Sequence, residues 1–260
     1  MRDGCGARTL GCAFGMTALL DWSTLDPALL PPVAWVLVAT AFLLGSIPFG
    51  LLLGRLRGID LRTVGSGNIG ATNAARAMGR GMGLVVYLLD MAKGLLPVLL
   101  AGQWLDDPAL GAGAKELAQG ATGLAAVLGH CYTPWLAFKG GKGVATACAA
   151  IVAVEPLAFV AGGLAWLFAR ATTGWVGLAS MVMCAVFPLA WLVLQRDAQV
   201  PRPAGLVVAW SAIALLVVAR HRANIARMYA GTEPRSGRRA AAAASRQGAS
   251  PDEGGKLKRT

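Results

Sequence analysis

The stretch VATACAAIVAVEPLAFVAGGLAWLFAR, Val144–Arg170, decides the fold. It is apolar from Val144 to Ala169 except for Glu155-Pro156 at its middle. Proline interrupts a helix and pushes the residue before it toward extended backbone. Read as one helix, the stretch gives a membrane protein of six spans; read as two, seven. The basic residues arbitrate, because cytoplasmic loops of membrane proteins carry the excess of lysine and arginine. With six spans, Arg170 and the basic tail fall on the side opposite the other basic loops. With seven, Arg55 to Arg80, Lys139, Lys142, Arg170 and Arg220 to Arg227 share the cytoplasmic face. The sequence therefore predicts an all-α integral membrane fold of seven transmembrane helices. The N-terminus is outside, the C-terminus is cytoplasmic, and the cytoplasmic loops are glycine-rich. Each half of the stretch is shorter than the ~20 residues of an ordinary span, so local thinning or a longer helix has to compensate.

The remaining spans are Val33–Leu53, Leu84–Trp104, roughly Leu117–Leu136, Gly174–Leu194 and Ala204–Ala219. Composition agrees. The 260 residues are 56% hydrophobic and 14% charged, with mean hydropathy +0.58, far from a soluble average. A net charge of +11 could suggest nucleic acid. Aromatic residues are not interleaved with the basic ones, however, and the basic residues sit at the ends of apolar runs, so no nucleic-acid partner is expected. Cys5, Cys12, Cys131, Cys148 and Cys184 form no C-x-x-C pair, and there are two histidines. That argues against a structural zinc site and a disulfide framework, and no metal or cofactor is expected. Residues 1–32 read as a poorly ordered N-terminal extension, 33–230 as the membrane domain, and 231–260 as a disordered basic tail.

Between the first two spans lies Val64-Gly65-Ser66-Gly67-Asn68-Ile69-Gly70-Ala71-Thr72-Asn73-Ala74-Ala75-Arg76. Glycines let successive N–H groups point one way, a nest for an anion. Ser66, Asn68, Thr72 and Asn73 add neutral donors, and Arg76 adds a fork matched to phosphate. A helix starting near Asn68 would add its N-terminal amides. Gly65, Gly67 and Gly70 also spell a dinucleotide fingerprint with Asp90 downstream. Asp90 lies inside the apolar run Leu84–Leu100, too long for the strand that fold needs, which excludes it. A flexible linker is the remaining rival, and it does not call for this density of donors.

A second glycine turn, Phe138-Lys139-Gly140-Gly141-Lys142-Gly143-Val144-Ala145-Thr146, resembles a P-loop but fails its pattern. Leu136 stands where the first glycine belongs, and Gly143 stands where Ser or Thr should follow the lysine. What remains is a turn presenting two lysines at a helix start, a second candidate anion site. Inside the second span, Asp90 and Lys93 are either functional or a mutual ion pair. Ser46 either binds or satisfies its own helix carbonyl. His221 and Asn224 share a helix face, which is either a pocket wall or a solvated basic end.

Gly45-Ser46-Ile47-Pro48-Phe49-Gly50, the Gly65–Arg76 loop, Gly129-His130 through Lys139-Gly140-Gly141-Lys142-Gly143-Val144-Ala145-Thr146, and His221-x-x-Asn224 together resemble the bacterial PlsY family, the acyl-phosphate:glycerol-3-phosphate acyltransferases. The resemblance runs from about Trp35 to Arg227. It implies an enzyme of the bacterial cytoplasmic (inner) membrane with its active site facing the cytoplasm. Its reaction moves an acyl group from acyl phosphate to the sn-1 hydroxyl of glycerol 3-phosphate, giving lysophosphatidic acid and phosphate. Membrane lipid surrounds it, and a soluble acyl-phosphate-forming enzyme would supply the donor. By motif, Ser66, Arg76, Lys142, His221 and Asn224 would be catalytic. Ser46, Gly65, Gly67, Asn68, Thr72, Asn73, Lys93, Lys139, Gly141 and Gly143 would hold substrate or phosphate. The rival from another class is a transporter of a small phosphorylated solute, suggested by Asp90 and Lys93 in a span. An acyltransferase using thioesters would show an H-x-x-x-x-D pair, and neither histidine has one.

Overall fold

The structure, a computed structural model, describes residues 20–110, 113–195 and 202–236. It is a bundle of α-helices in the order α1 (Pro32–Gly45), α2 (Phe49–Arg55), α3 (Ala71–Met78), α4 (Arg80–Trp104), α5 (Ala114–Cys131), α6 (Val144–Val152), α7 (Pro156–Thr173), α8 (Val176–Gln195), α9 (Ala204–Arg220) and α10 (Arg222–Tyr229). Its outer faces carry large apolar side chains: Phe168 and Leu215 are each 72% exposed. That pattern suits lipid, which wets apolar groups and demands that backbone bonds close within helices. Inside, helices approach through small residues. A side chain on Gly45 would strike the Ala126 backbone and one on Gly129 the Phe42 carbonyl, so α1 and α5 meet nearly backbone to backbone. Trp191, Trp210 and Phe187 fill the wider gaps of the core between α5, α6, α8 and α9.

Among the described residues, three segments are long and apolar enough to cross a membrane: Pro32–Arg55, Arg80–Trp104 and Val176–Gln195. The pair Ala204–Arg220 and Arg222–Tyr229, bent by 52°, makes a fourth candidate. The first of these is broken at Ser46-Ile47-Pro48, where α1 stops and α2 restarts. Proline at position 48 withholds an N–H from the helix ladder, which is the reason for the break.

Val144–Arg170 is two helices, but unequal ones. The nine residues of α6 end at Val152, and α7 starts at Pro156 and runs for 18 residues. Nine residues rise roughly 14 Å, about half of a hydrocarbon core of ~30 Å. α6 is thus about half as long as an ordinary span and packs on α4, and α7 carries the length.

The described chain makes contacts on both sides of residues 33–230. Leu20–Asp21 pairs in parallel with Arg202–Pro203, followed by 3-10 turns at Trp22–Leu25 and Pro27–Leu29. The buried Thr24 hydroxyl accepts the Ala204 N–H at the start of α9 (3.0 Å) and donates to the Asp21 carbonyl (2.6 Å). Residues 20–31 therefore belong to the folded unit, while 1–19 lie outside the described residues. At the other end the chain stays docked past 231. Glu233 is buried, and the Ser236 N–H donates to the Gly174 carbonyl at 2.9 Å. The tail from 237 onward lies outside the described residues.

Candidate functional site

The loop before α3 is shaped by one side chain. Asn73, 2% exposed, donates from Nδ2 to the Leu61 and Val64 carbonyls (3.0 Å each), and its Oδ1 accepts the Ser66 N–H at 3.0 Å. Gly65 turns under it with φ +59°, and a side chain there would strike the Asn73 amide. The amide of Asn73 is thereby engaged on the loop through both its Nδ2 and its Oδ1. Asn68 Oδ1 accepts the Gly70 N–H at 2.9 Å. Gly70 caps α3 with no side-chain bond, leaving the first amides of the helix open toward the cavity as anion donors. The hydroxyls of Ser66 and Thr72 and the guanidinium of Arg76 have no partner among the described residues, and all three line the cavity.

The second loop is pinned on both sides. The Gly140 and Gly141 N–H groups donate to the Cys131 and His130 carbonyls at 3.1 and 3.0 Å. Arg220 donates from Nη2 to the Gly140 carbonyl (2.8 Å) and from Nε to the Gly141 carbonyl (3.1 Å). Its guanidinium also lies over the Tyr132 ring, 5.2 Å from the centroid. Gly143, at φ +80°, then turns the chain into α6. Lys142 is thrown into the cavity, where its Nζ donates to Asn224 Oδ1. Burial pushes the Lys142 ammonium down to about 8, against the pull of Glu233.

The third wall comes from the bend between α9 and α10. His221, 2% exposed, has Nδ1 at 2.7 Å from the Val217 carbonyl. A carbonyl only accepts, so Nδ1 carries the proton and Nε2 is the accepting nitrogen. Asn224 Nδ2 donates to Glu233 Oε1 (2.6 Å), and Arg227 Nε donates to Glu233 Oε2 (2.7 Å). Arg227 and Glu233 were not among the expected site residues. Arg227 is one turn after Asn224 on the same face, a signal the sequence does carry. Glu233 follows the turn at Gly231 (φ +70°), and only folding back brings it in.

These walls enclose one cavity of about 1220 Å³. It holds Gly65, Ser66, Asn68, Thr72, Asn73, Arg76, Lys142, Gly143, His221 and Asn224 of the expected set. Arg76, Arg80, Lys142 and Arg227 face Asp90 and Glu233, so four cations outweigh two carboxylates. From this polar end an apolar wing runs between α4, α7 and α8 past Leu84, Phe159, Trp166 and Met183.

Five expected ligands lie off the cavity lining. Ser46 is buried and braces the helix break. Its hydroxyl donates to the Leu43 carbonyl (2.6 Å) and accepts Trp135 Nε1–H (2.8 Å), while its carbonyl accepts the Thr133 hydroxyl (2.6 Å). Lys93 is buried too, with Nζ 2.9 Å from Asp90 Oδ1 and 2.9 Å from the Ile47 carbonyl. Its ammonium thus ties Asp90 to the backbone at the break before Pro48. Lys139 is exposed, Gly141 backs onto the His130 ring, and Gly67 turns toward Arg62.

Comparison with known proteins places this arrangement. The sequence model described as glycerol-3-phosphate acyltransferase matches residues 35–231. A glycerol-3-phosphate acyltransferase of Geotalea daltonii is 45% identical over 76% of this chain and 95% of its own. One from Methylorubrum populi is 40% identical over 75% of this chain and 89% of its own. Among solved structures, the glycerol 3-phosphate form of PlsY, an integral membrane glycerol 3-phosphate acyltransferase, is 40% identical. It superposes with TM-score 0.70 over 79% of this chain and 96% of that one. The lysophosphatidic acid form of the same protein gives TM-score 0.69 at 39% identity.

Proposed function

The chain belongs to the glycerol-3-phosphate acyltransferase family, and from that premise we propose that it moves an acyl group from acyl phosphate to the sn-1 hydroxyl of glycerol 3-phosphate. The observation that carries the reading is the joining of two loop-built cationic clusters and an apolar wing in one cavity. Two phosphate-bearing substrates need two cationic clusters, and the donor's acyl chain needs the wing. Lysophosphatidic acid and inorganic phosphate leave.

Acyl phosphate is a mixed anhydride with a good leaving group, so the chemistry requires no covalent enzyme intermediate. The glycerol 3-phosphate oxygen attacks the acyl carbon, the bond from that carbon to the phosphate oxygen breaks, and the hydroxyl proton ends on the departing phosphate. A donor phosphate oxygen takes it directly. The carboxylates in the cavity are already engaged, Asp90 by Lys93 and Glu233 by Arg227 and Asn224. His221 orients substrate through Nε2. Ser66, Thr72, Arg76 and Lys142 hold phosphate oxygens and stabilise charge as it moves to the leaving group; positioning and electrostatics supply the rate.

The same reading takes the bundle as seven spans: α1 with α2, then α4, α5, α6, α7, α8 and α9. It places the cavity end at the cytoplasmic side of a bacterial inner membrane, where a soluble acyl-phosphate-forming enzyme can supply the donor. The one feature that suggested a transporter, Asp90 with Lys93, is satisfied by their mutual pairing and the Ile47 carbonyl.

The test is product formation by purified protein in lipid. Glycerol 3-phosphate is offered with palmitoyl phosphate, and separately with palmitoyl-CoA and palmitoyl carrier protein. Lysophosphatidic acid from palmitoyl phosphate alone is the expected result. Product from a thioester would overturn the donor assignment.

A further inference from the structure

Two glycines stand together in the middle of α7, Gly162 and Gly163. Glycine weakens a helix interior relative to alanine, so each needs a reason. Gly162 has one in packing, since a side chain there would strike the Phe187 ring of α8. Gly163 has no such neighbour. A Cβ built on it meets no atom within 4 Å, yet the residue borders the cavity. The helix thus withholds a side chain at a point where nothing in the protein takes up the room.

The depth of that point follows from the α7–α8 seam. Gly177 marks the polar end, where a Cβ would sit 2.9 Å from Asn224 Nδ2. Met183, whose Cγ a side chain on Gly162 would meet at 3.2 Å, lies further along α8 by roughly 9 Å at the rise of a helix. Gly163 is at this level, well below the phosphate-holding residues. Around it, Val160 and Leu164 line the cavity too and are 52% and 62% exposed, so the wing is open there along α7.

We propose that Gly163 is a specificity-determining residue, the gap through which a long acyl chain passes α7 on its way from the polar cavity to the lipid. A short chain ends before reaching it; a long one must run past it. This rests on the acyl-phosphate reading above.

The experiment compares palmitoyl phosphate with hexanoyl phosphate as donors, each with glycerol 3-phosphate, for the unaltered protein, Gly163→Ala and Gly163→Leu in lipid. The readout is the ratio of kcat/KM for the long donor to that for the short one. Gly163→Leu is expected to lower the ratio roughly tenfold or more, as several methylenes lose their buried wall, and Gly163→Ala by an intermediate amount. Alanine at this position meets no atom of the protein, so that variant tests the gap without disturbing packing. A ratio within twofold of the unaltered protein's in both variants overturns the proposal while leaving the donor assignment in place. No turnover of either donor by the unaltered protein overturns the donor assignment and the proposal with it.

Discussion

At the scale of single residues, Lys142 bears the heaviest demand. It reaches into the cavity from the second loop, tied through Asn224 to Glu233. Lys142→Ala should lower turnover roughly a hundredfold or more, the size expected when a key charge stabiliser goes; near-normal turnover would remove the second loop from the site. Its pH behaviour has a definite sign. With the ammonium held down to about 8 by burial, the charge is complete below that pH and is lost as pH rises through it. The kcat/KM profile, which reports the free enzyme, should therefore fall on an alkaline limb starting near pH 8. Lys142→Arg, whose charge persists, should push that limb upward. His221 is expected to leave no such mark: His221→Gln should keep the shape of the pH–rate profile, and loss of an acidic limb would make it the proton acceptor instead. The residue types were readable in the sequence, since donors packed around glycines mark an anion site. Their division of labour was not. Asn73 looks like a ligand by type, and only the carbonyls around it reveal how far its amide is engaged in the loop, whereas the bond of Ser46 to its own helix carbonyl was one of the two readings the sequence offered.

Elements carry the site by holding two loops at fixed distance. The clearest device is the Arg220 fork at the end of α9, whose bonds to the Gly140 and Gly141 carbonyls fix the turn that presents Lys142. A planar fork can serve two carbonyls at once and a lysine ammonium cannot match that geometry. Arg220→Lys and Arg220→Met should thus both lower kcat, roughly ten- to a hundredfold for a misplaced catalytic group. Activity restored by Arg220→Lys alone would mean that charge, not geometry, is what Arg220 supplies. At the far end of α9, Thr24 takes the free Ala204 N–H from 180 positions away, a long-range helix cap. Thr24→Ala should cost about 1 kcal/mol, as a lost cap does, seen as a lower midpoint of thermal unfolding in detergent with kcat unchanged. No shift would show that water serves the amide equally well. The break before Pro156 was legible because Glu155-Pro156 sets a charge beside a proline in the middle of an apolar run, whereas Pro97 and Pro188 alone stay inside α4 and α8. The shortness of α6 was legible too, since each half falls below the ~20 residues of an ordinary span; the stop of α6 at Val152 was not, because Ala153 and Val154 continue the same apolar run.

For the whole molecule, the separation of charge along the bundle is the organising fact. Arg76, Lys142, Arg220, Arg227 and the docked residues 233–236 gather at one end, while Asp106 and Asp107 lie beyond the far end of α4, in the connection to α5. The proposed orientation puts this positive end at the cytoplasmic face, where lysine and arginine are in excess. What brings Glu233 back over Asn224 depends on a turn and a docking contact that leave no periodic trace, so the membrane domain reads as ending too early. The orientation itself makes the last prediction. In a variant with Cys5 and Cys12 replaced by serine, single cysteines are placed at Asp107 and at Lys139, both exposed. The remaining native cysteines are buried and should stay silent. A membrane-impermeant maleimide on intact cells should then label Asp107→Cys, whereas Lys139→Cys should react only after the membrane is opened. The reverse pattern would turn the cavity outward, away from any soluble source of acyl phosphate. The expected pattern puts both phosphate-bearing substrates on the side where the four cations of the cavity can capture them.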